Sequence, residues 1–230
     1  RYICDEMTYG GRKFDVRVFW AVVSVDPLVV LYHTQQNYVR IGHAEYDESS
    51  LGSGNSTTRA HLTTHTFGST ETKATWDEFR EHIEKHVFCC ASDTNEDGSG
   101  VDRGFRDRFF DPTHSGNDGN GSRNTGVLET IETIRKDPFR HVQNQMKTII
   151  AHLADAYKDT TFHARSMVPE NGFSWHAADM IVDNNLDVYI IEGTDGPGKD
   201  EDYDFRIKMH DELLGSLVDV LQEVITRQEE

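Results

Sequence analysis

The feature that most constrains the fold is a run of alternating residues near the start of the chain, residues 12–25. Its first half alternates charged and apolar side chains, which is typical of a β-strand with two different faces. One of these faces carries Lys13, Asp15 and Arg17. From Val18 onwards the run is apolar on both faces, as expected of a strand that is covered on both sides. The sequence therefore predicts a covered sheet with a charged stripe, which either lines a cleft or faces solvent.

A second constraint is a predicted β-hairpin in the last third of the chain, residues 176–192. Two runs rich in Ile, Val and Tyr flank Asp183, Asn184 and Asn185, and Asn tolerates the positive φ that a tight hairpin turn requires. If Asn184 and Asn185 form a two-residue turn, Asp183 faces Leu186. A turn of four residues keeps the same side-chain parity, whereas a turn of three residues reverses it.

The hairpin brings together two acidic residues, Asp179 and Glu192. With the two-residue turn, Asp179 lies opposite Ile190, and Glu192 lies one diagonal step away on the same face, roughly 7–8 Å from Asp179 at Cα. Carboxylates at this separation can reach one cation, and protein usually holds Mg²⁺ with one or two carboxylates together with phosphate oxygens. The alternative is a solvated hairpin face that carries two acids without function, since exposed acids are common.

Several short motifs follow one another along the chain. They are Gly11-Arg-Lys-Phe-Asp-Val-Arg17, Ser24-Val-Asp-Pro-Leu28, Val39-Arg40, His61-Leu-Thr63 and the hairpin end Ile190-Ile-Glu192. In their order and separations they resemble the tubulin–tyrosine ligase-like family. The Lys-Phe-Asp-Val-Arg motif is the specific one, whereas His-Leu-Thr alone is weak. The resemblance covers nearly the whole chain apart from residues about 91–126.

The resemblance implies the ATP-grasp fold, an α+β architecture with a mostly antiparallel sheet and flanking helices. It also implies an activity, because members of the family join an amino acid to a protein carboxylate, typically on a tubulin tail, with ATP and Mg²⁺. In such ligases the carboxylate is first phosphorylated, and the amine then attacks the acylphosphate. We expect residues 1–230 to be the C-terminal portion of one ATP-grasp domain, with its N-terminal part missing and a polar insertion at about residues 91–126.

The resemblance further implies roles for four residues near the start of the chain. Lys13 and Asp15 are expected to contact the adenosine part of ATP. Arg17 and Arg40 are expected to be the catalytic residues, facing the phosphates and the carboxylate that is activated. A guanidinium suits this task because it makes two parallel hydrogen bonds to a carboxylate or a phosphate.

Two positions depart from the family pattern. Thr63 is expected beside the nucleotide, and Thr64, which belongs to the same site, stands where the family usually has Asn. Asp179 and Glu192 are expected to hold Mg²⁺ with Thr194, which again replaces a usual Asn, and a hydroxyl is a poorer Mg²⁺ ligand than an amide oxygen. These changes keep open a degenerate relative that binds nucleotide or protein without chemistry. A third possibility is a structural or interaction fragment without a nucleotide site.

The composition restricts the partners. With 230 residues, of which 36% are hydrophobic, the chain can bury a sizeable core. A net charge of −17 argues against nucleic acid, and it also weighs against a tubulin tail, which is itself acidic. Three cysteines without a disulfide framework, and no apolar run long enough for a membrane, predict a cytoplasmic protein, with the cytoskeleton as one candidate location. The expected partners are a protein acceptor, for which tubulin is one candidate, and a free amino acid.

Apolar residues at helical spacing predict helices between and after the strands. One begins at the capping box Thr75-Trp-Asp-Glu78, and another begins at Asp137-Pro138. Histidines, His176 among them, are predicted to lie at the surface, because no tight metal-ligand spacing includes them. The last helix is predicted to have an apolar face formed by Ile207, Leu214, Leu217, Leu221 and Ile225.

Overall fold

The computed structural model describes residues 5–25, 27–46, 72–92, 133–159, 173–196 and 204–229. The predicted insertion at about residues 91–126 lies outside them, except for its first two residues, which end a helix. The elements are, in chain order, β1 (Thr8–Tyr9), β2 (Arg12–Val25), β3 (Leu28–Tyr32), β4 (Tyr38–Glu45), β5 (Thr72–Thr75), α1 (Trp76–Ser92), α2 (Pro138–Asp159), β6 (Ser174–Val182), β7 (Val188–Asp195) and α3 (Asp204–Glu229).

Strand β2 is the centre of the sheet. The strand order is β5-β4-β2-β6-β7, and β1 and β3 also pair with β2. Every pairing among the described strands is antiparallel. Because β2 is 14 residues long, it can pair with β3 and β4 along one edge and with β6 along the other. The fold is α+β with a mostly antiparallel sheet and flanking helices, as predicted.

The first face of the sheet packs against α1 and α2. Strand side chains alternate between faces, so this face receives Phe14, Val16, Val18 and Trp20 from β2. All four are buried in one apolar cluster with residues of the two helices. The helix residues of that cluster include Trp76, Phe79, Ile83 and Val87 of α1 and Phe139, Val142, Met146, Ile150 and Ala154 of α2. This face therefore holds the larger hydrophobic core.

Both helices on the first face begin where the sequence predicts. The backbone N–H of Thr75 donates to the Glu78 carboxylate at 2.7 Å, and the backbone N–H of Glu78 donates to the Thr75 hydroxyl at 3.3 Å. These reciprocal bonds are the predicted capping box of α1. The Asp137 carboxylate accepts from the backbone N–H of Arg140 at 2.9 Å and caps α2. No helix in the described parts of the chain is long and apolar enough to cross a membrane.

The second face of the sheet is covered by α3 over the end of β2. Phe19 and Ala21 of β2 pack in clusters with Met209, Leu213 and Leu217 of α3. These helix residues follow one another at intervals of four, which places them on one stripe. The predicted apolar face of α3 is therefore partly wrong, and Ile207 is exposed. The physical reason is rotational, because Ile207 is two residues, or about 200°, around the helix from Met209.

The hairpin between β6 and β7 corrects the predicted turn. Asp183 and Asp187 close a loop of three residues, with the Asp183 N–H donating to the Asp187 carbonyl at 3.0 Å. The Asp183 carboxylate also accepts from the backbone N–H groups of Asn185 and Asp187, at 2.8 and 2.9 Å. Leu186 takes the left-handed conformation, with φ of 64°, while its side chain is fully buried. Burial of Leu186 and the Asp183 bonds favour this turn over the predicted Asn184-Asn185 turn.

A bulge in β7 restores the parity that the three-residue turn reverses. Met180 pairs with Ile190, but the next pair along the ladder is Asp179 with Glu192. Ile191 is therefore an extra residue on β7 without a direct partner on β6. Without the bulge, Ile191 would lie opposite Asp179 and Glu192 would point to the other face. The predicted shared face of Asp179 and Glu192 is thus observed, but in a different register, with the two residues directly opposite each other.

Candidate active site

A row of charged side chains crosses the second face beside the region that α3 covers. The register pairs Lys73 of β5 with Arg40 of β4, and Arg40 with Asp15 of β2. Two residues along β2, it pairs Arg17 with Asp179 of β6, and Asp179 with Glu192 of β7. Directly paired residues point to the same face of a sheet. We call these residues the charged row: Lys73, Arg40, Asp15, Arg17, Asp179 and Glu192.

Asp179 is the centre of the charged row. Arg17 binds it with two parallel hydrogen bonds, from Nε to Oδ1 and from Nη2 to Oδ2, both at 2.8 Å. Arg40 donates a third bond from Nη2 to Oδ2 at 2.7 Å. The side chain of Asp179 is only 1% exposed. Two guanidinium groups from two different strands therefore converge on one buried carboxylate.

Arg40 links the two halves of the row. Its Nε donates to Oδ1 of Asp15 at 2.7 Å, while its Nη2 binds Asp179. Asp15 and Arg40 are both buried. A buried charge network of this kind contributes little net stability, because removing the charges from water offsets most of their attraction. A buried cluster of charged groups is therefore a candidate for a functional site.

The electrostatics of the row keep its charges in place. Burial alone would raise the pKa of Asp179, but the hydrogen bonds from Arg17 and the positive charges of Arg40 and Arg17 outweigh it. The pKa of Asp179 is therefore lowered from its ordinary value. Burial would lower the pKa of Arg17 and of Arg40, but their carboxylate partners raise both. Arg17, Arg40 and Asp179 are therefore charged at neutral pH.

Lys13 lies on the same strand face but has a different partner. It forms an ion pair with Glu6, and both side chains are buried. Its ammonium group also lies 4.7 Å from the centre of the Tyr46 ring. Asp15, which was expected to share the adenosine contact with Lys13, is bonded to Arg40 instead. The charged stripe is thus not a solvated strand face, since Lys13 and Asp15 are both buried.

Asp179 and Glu192 together fit one divalent cation. A carboxylate offers about four acceptor positions, and three of those on Asp179 are taken by guanidinium groups. Glu192 is exposed and directly opposite, so its oxygens can meet a cation at the remaining position. Among the described residues, no three His, Cys, Asp or Glu side chains form a metal group by themselves. Two carboxylates completed by phosphate and water are the usual arrangement for Mg²⁺, whereas zinc and calcium sites need more protein ligands.

The three predicted threonines have different outcomes. Thr63 and Thr64 lie outside the described residues. Thr194 pairs with Ala177 of β6 and follows Glu192 by two residues, so it belongs to the same face as Glu192. Asp195, the next residue, points to the opposite face, where it bonds His176. Of the predicted metal residues, the structure therefore brings Asp179 and Glu192 together and leaves Thr194 beside them.

Two residues of this region, Lys73 and Glu6, were not predicted from the sequence, and a third, His176, was predicted in the wrong environment. Lys73 extends the charged row, but its strand has four residues and gives little periodic signal. Glu6 lies outside the named strands, where an isolated bridge to Asp183 holds it. The prediction that His176 lies at the surface is wrong, because its ring is buried and stacks on Trp20 at 4.4 Å between centroids. Strand alternation alone could have indicated burial, since His176 shares a face with Ala178 and Met180.

The fold and the charged row define a class of protein, an α+β protein whose antiparallel sheet carries a buried guanidinium–carboxylate site. The model of the tubulin-tyrosine ligase family matches residues 1–103, which confirms the predicted family resemblance over that span. The family suggests an ATP-grasp-type ligase, and such enzymes generally use ATP and Mg²⁺.

The matched span contains part of the site. Arg17 and Arg40 lie within residues 1–103, whereas Asp179 and Glu192 lie beyond them. The sequence matches no curated protein. The family match therefore covers the two arginines but not the two acids, and strand pairing in the sheet is what brings the arginines and the acids together.

Proposed function

We propose that the protein is an ATP- and Mg²⁺-dependent carboxylate–amine ligase of the tubulin–tyrosine ligase-like type, built on an ATP-grasp-like fold. It adds an amino acid to a carboxylate of an acceptor protein. The observation that carries this proposal is the convergence of Arg17 and Arg40 on Asp179, directly opposite Glu192. This arrangement supplies two planar cations and two acidic ligands on four successive strands of the sheet, β4, β2, β6 and β7.

The guanidinium groups are the positioning part of the site. A carboxylate and a phosphate both accept two parallel hydrogen bonds from one guanidinium. Arg17 and Arg40 come from adjacent strands, so they can hold an acceptor carboxylate and a phosphate side by side. Phosphoryl transfer demands mainly such alignment and the stabilisation of charge. Mg·ATP, when bound, supplies the phosphoryl group that turns the carboxylate oxygen into a leaving group.

Ligand binding in this proposal involves an exchange of partners. Arg17 and Arg40 now donate to Asp179. Incoming anionic oxygens compete for those N–H groups, and each bond that Asp179 loses frees an oxygen position for a cation shared with Glu192. The exchange keeps every buried charge partnered, because an unpaired buried charge is costly. The ion pairs in the row therefore hold the guanidinium groups ready for the ligand.

The same contacts favour a second candidate function. Asp179 is largely taken by two guanidinium groups, and Thr64 and Thr194 replace residues that would strengthen the nucleotide and metal sites. A relative that binds nucleotide or a protein partner without chemistry would tolerate both features. In this candidate, the ion pairs between Arg17, Arg40 and Asp179 stabilise a binding surface and are not exchanged for contacts with a substrate.

The partners in the proposal follow from chemistry and charge. The acceptor is a protein carboxylate, and the second substrate is a free amino acid. With a net charge of −17, the protein attracts an acidic tubulin tail only through a local positive patch. We place the reaction in the cytoplasm, where the cytoskeleton offers such acceptors, and assign no role to nucleic acid or to a membrane.

The proposal is tested by ADP release from Mg·ATP with a panel of acidic peptides, tubulin tails included, and single amino acids. We expect release only when both substrates are present. Arg17→Lys should lower kcat by about 100-fold, because a lysine keeps the charge but loses the two-pronged alignment. The matched control is Arg80→Lys, which changes a half-exposed arginine on α1 and should leave the rate unchanged.

Two results would contradict the ligase proposal. Full activity of Arg17→Lys would remove Arg17 from the mechanism. Absence of ADP release with every acceptor, in protein that binds Mg·ATP by calorimetry, would favour the non-catalytic relative.

A further inference from the structure

A chain of hydrogen bonds lies on the first face of the sheet, behind the charged row. Nε2 of His176 lies 2.7 Å from the Ser174 hydroxyl, and Nδ1 of His176 lies 2.9 Å from Oδ1 of Asp195. The His176 ring is buried and stacks on Trp20 with ring centroids 4.4 Å apart, and its centroid lies 5.9 Å from that of Tyr157. The side chain of Asp195, by contrast, is 64% exposed.

The chemistry of the three groups fixes their roles. Burial lowers the pKa of His176 despite the opposing effect of Asp195, so the ring is neutral at pH 7. A neutral imidazole has one donor and one acceptor nitrogen, and an ionised carboxylate can only accept. Nδ1 therefore donates to Asp195, and Nε2 accepts from the Ser174 hydroxyl. The buried ring is held at both nitrogens, and Asp195 is the exposed end of the chain.

These bonds join β6 to the part of β7 that follows the bulge. His176 and Asp195 are direct partners in the ladder, three pairs along from Asp179 and Glu192. All four pairs in this segment belong to the register that the extra Ile191 creates. The His176–Asp195 bond is therefore a side-chain contact of that register, made at the end opposite the bulge.

Burial of β7 side chains contributes little to fixing the register between β6 and β7. Tyr189, Ile190 and Ile191 are exposed, and β7 pairs with β6 alone among the described strands. A slip of one residue would move Glu192 to the other face, away from Asp179. Registers are weakly specified where neither face of a strand is buried. A buried ring that binds a carboxylate at one position of β7 opposes such a slip.

We propose that Asp195 is a positioning residue, which acts through His176 to hold the bulged register of β7 and so keeps Glu192 opposite Asp179. Asp195 is then not a cation ligand, although it is a carboxylate next to the predicted ligand Thr194. The consequence for cation binding rests on the function proposed above, whereas the effect on the register does not. Ser174 supports the same role by holding the second nitrogen of the ring.

The test compares Asp195→Ala with Asp195→Asn in the otherwise unchanged protein. The asparagine lacks the charge but keeps a carbonyl oxygen that accepts from Nδ1 of His176. Amide hydrogen exchange over residues 188–195, measured by mass spectrometry without metal, should be about tenfold faster in Asp195→Ala and unchanged in Asp195→Asn. Binding of Mn²⁺, followed by electron paramagnetic resonance in the presence of ATP, should be about tenfold weaker in Asp195→Ala and normal in Asp195→Asn.

The outcomes separate this proposal from the proposed function. Unchanged exchange in Asp195→Ala would overturn the positioning role whether or not the protein binds metal. Normal exchange with equally weak Mn²⁺ binding in both variants would show that Asp195 acts by its charge, which also overturns it. Faster exchange in Asp195→Ala alone would support the positioning role even if wild-type protein bound no Mn²⁺. Asp155→Ala, at an exposed carboxylate on α2, is the control and should match the wild type in both measurements.

Discussion

The first face of the sheet is apolar from Phe14 to Val22 of β2, whereas the second face changes from charged to apolar halfway along the same strand. Both faces are buried, so the difference is not one of solvent exposure. On the first face, burial stabilises the fold through the hydrophobic effect. In the charged row, the hydrogen bonds and ion pairs mainly offset the cost of removing charges from water. The comparison teaches that one strand can serve stability with one set of side chains and a binding site with the other.

The largest expected effect lies on the first face. Phe79→Ala removes a fully buried aromatic ring from the core between the sheet and α1, and it should cost about 3–5 kcal/mol in the free energy of unfolding. Urea denaturation measures this loss, and Phe173→Ala, at an exposed ring, should change it little. A loss below about 1 kcal/mol would mean that the first face is not the main source of stability.

A smaller effect should distinguish the charged row by its response to ligand. If Mg·ATP binds only folded protein, a concentration of 100 times Kd raises the unfolding free energy by about 2.7 kcal/mol. Asp179→Asn should remove most of that increment, because it eliminates one anionic ligand and weakens the hold on Arg17 and Arg40. Thermal unfolding with and without Mg·ATP measures the increment. The control is Phe79→Ala, which should show the same increment as the wild type at a temperature where the variant is folded. An unchanged increment in Asp179→Asn would exclude Asp179 from the metal site.

The smallest predicted effect is a pH dependence on the first face. His82 stacks on Tyr9 beside Phe14, and burial lowers its pKa from the usual 6.5, with the nearby His86 and Lys85 acting in the same direction. The unfolded chain then binds a proton more readily than the folded one, so stability falls as pH decreases through 6.5 and is retained above it. In His82→Gln, the midpoint of urea unfolding should change less between pH 8 and about pH 5 than it does in the wild type. An identical slope in both proteins would contradict a neutral His82.

Much of this architecture could be predicted from the sequence because alternation is a local signal. The two halves of β2 follow from a period of two residues, and the capping box of α1 is a short local motif. The shared face of Asp179 and Glu192 was predicted from a two-residue turn, whereas the structure reaches it through a three-residue turn and a bulge. The three-residue turn and the bulge could not be predicted, because both depend on contacts that are distant in sequence. Leu186 accepts a left-handed backbone only because the assembled core buries its side chain.

Residues outside the regular pattern were missed for the same reason. His176 is neutral and buried because Trp20 from the neighbouring strand and Tyr157 from α2 pack beside it. Lys73 joins the charged row through a register that no local pattern specifies. In α3, the spacing allowed more than one apolar stripe, and only packing against Phe19 and Ala21 selects the one that contains Met209. In each of these three examples, contacts between elements that are distant in sequence determine where the side chain lies.

The bulge at Ile191 also has a consequence for how the protein behaves among its own copies. Among the described strands, β7 is an edge of the sheet, and its exposed apolar residues would favour pairing with the edge of another molecule. An extra residue interrupts the regular spacing of backbone donors and acceptors and increases the local twist. A second strand therefore cannot match the whole of this edge in register. The residue that aligns the acids inside the site also makes the outer edge a poor template for aggregation.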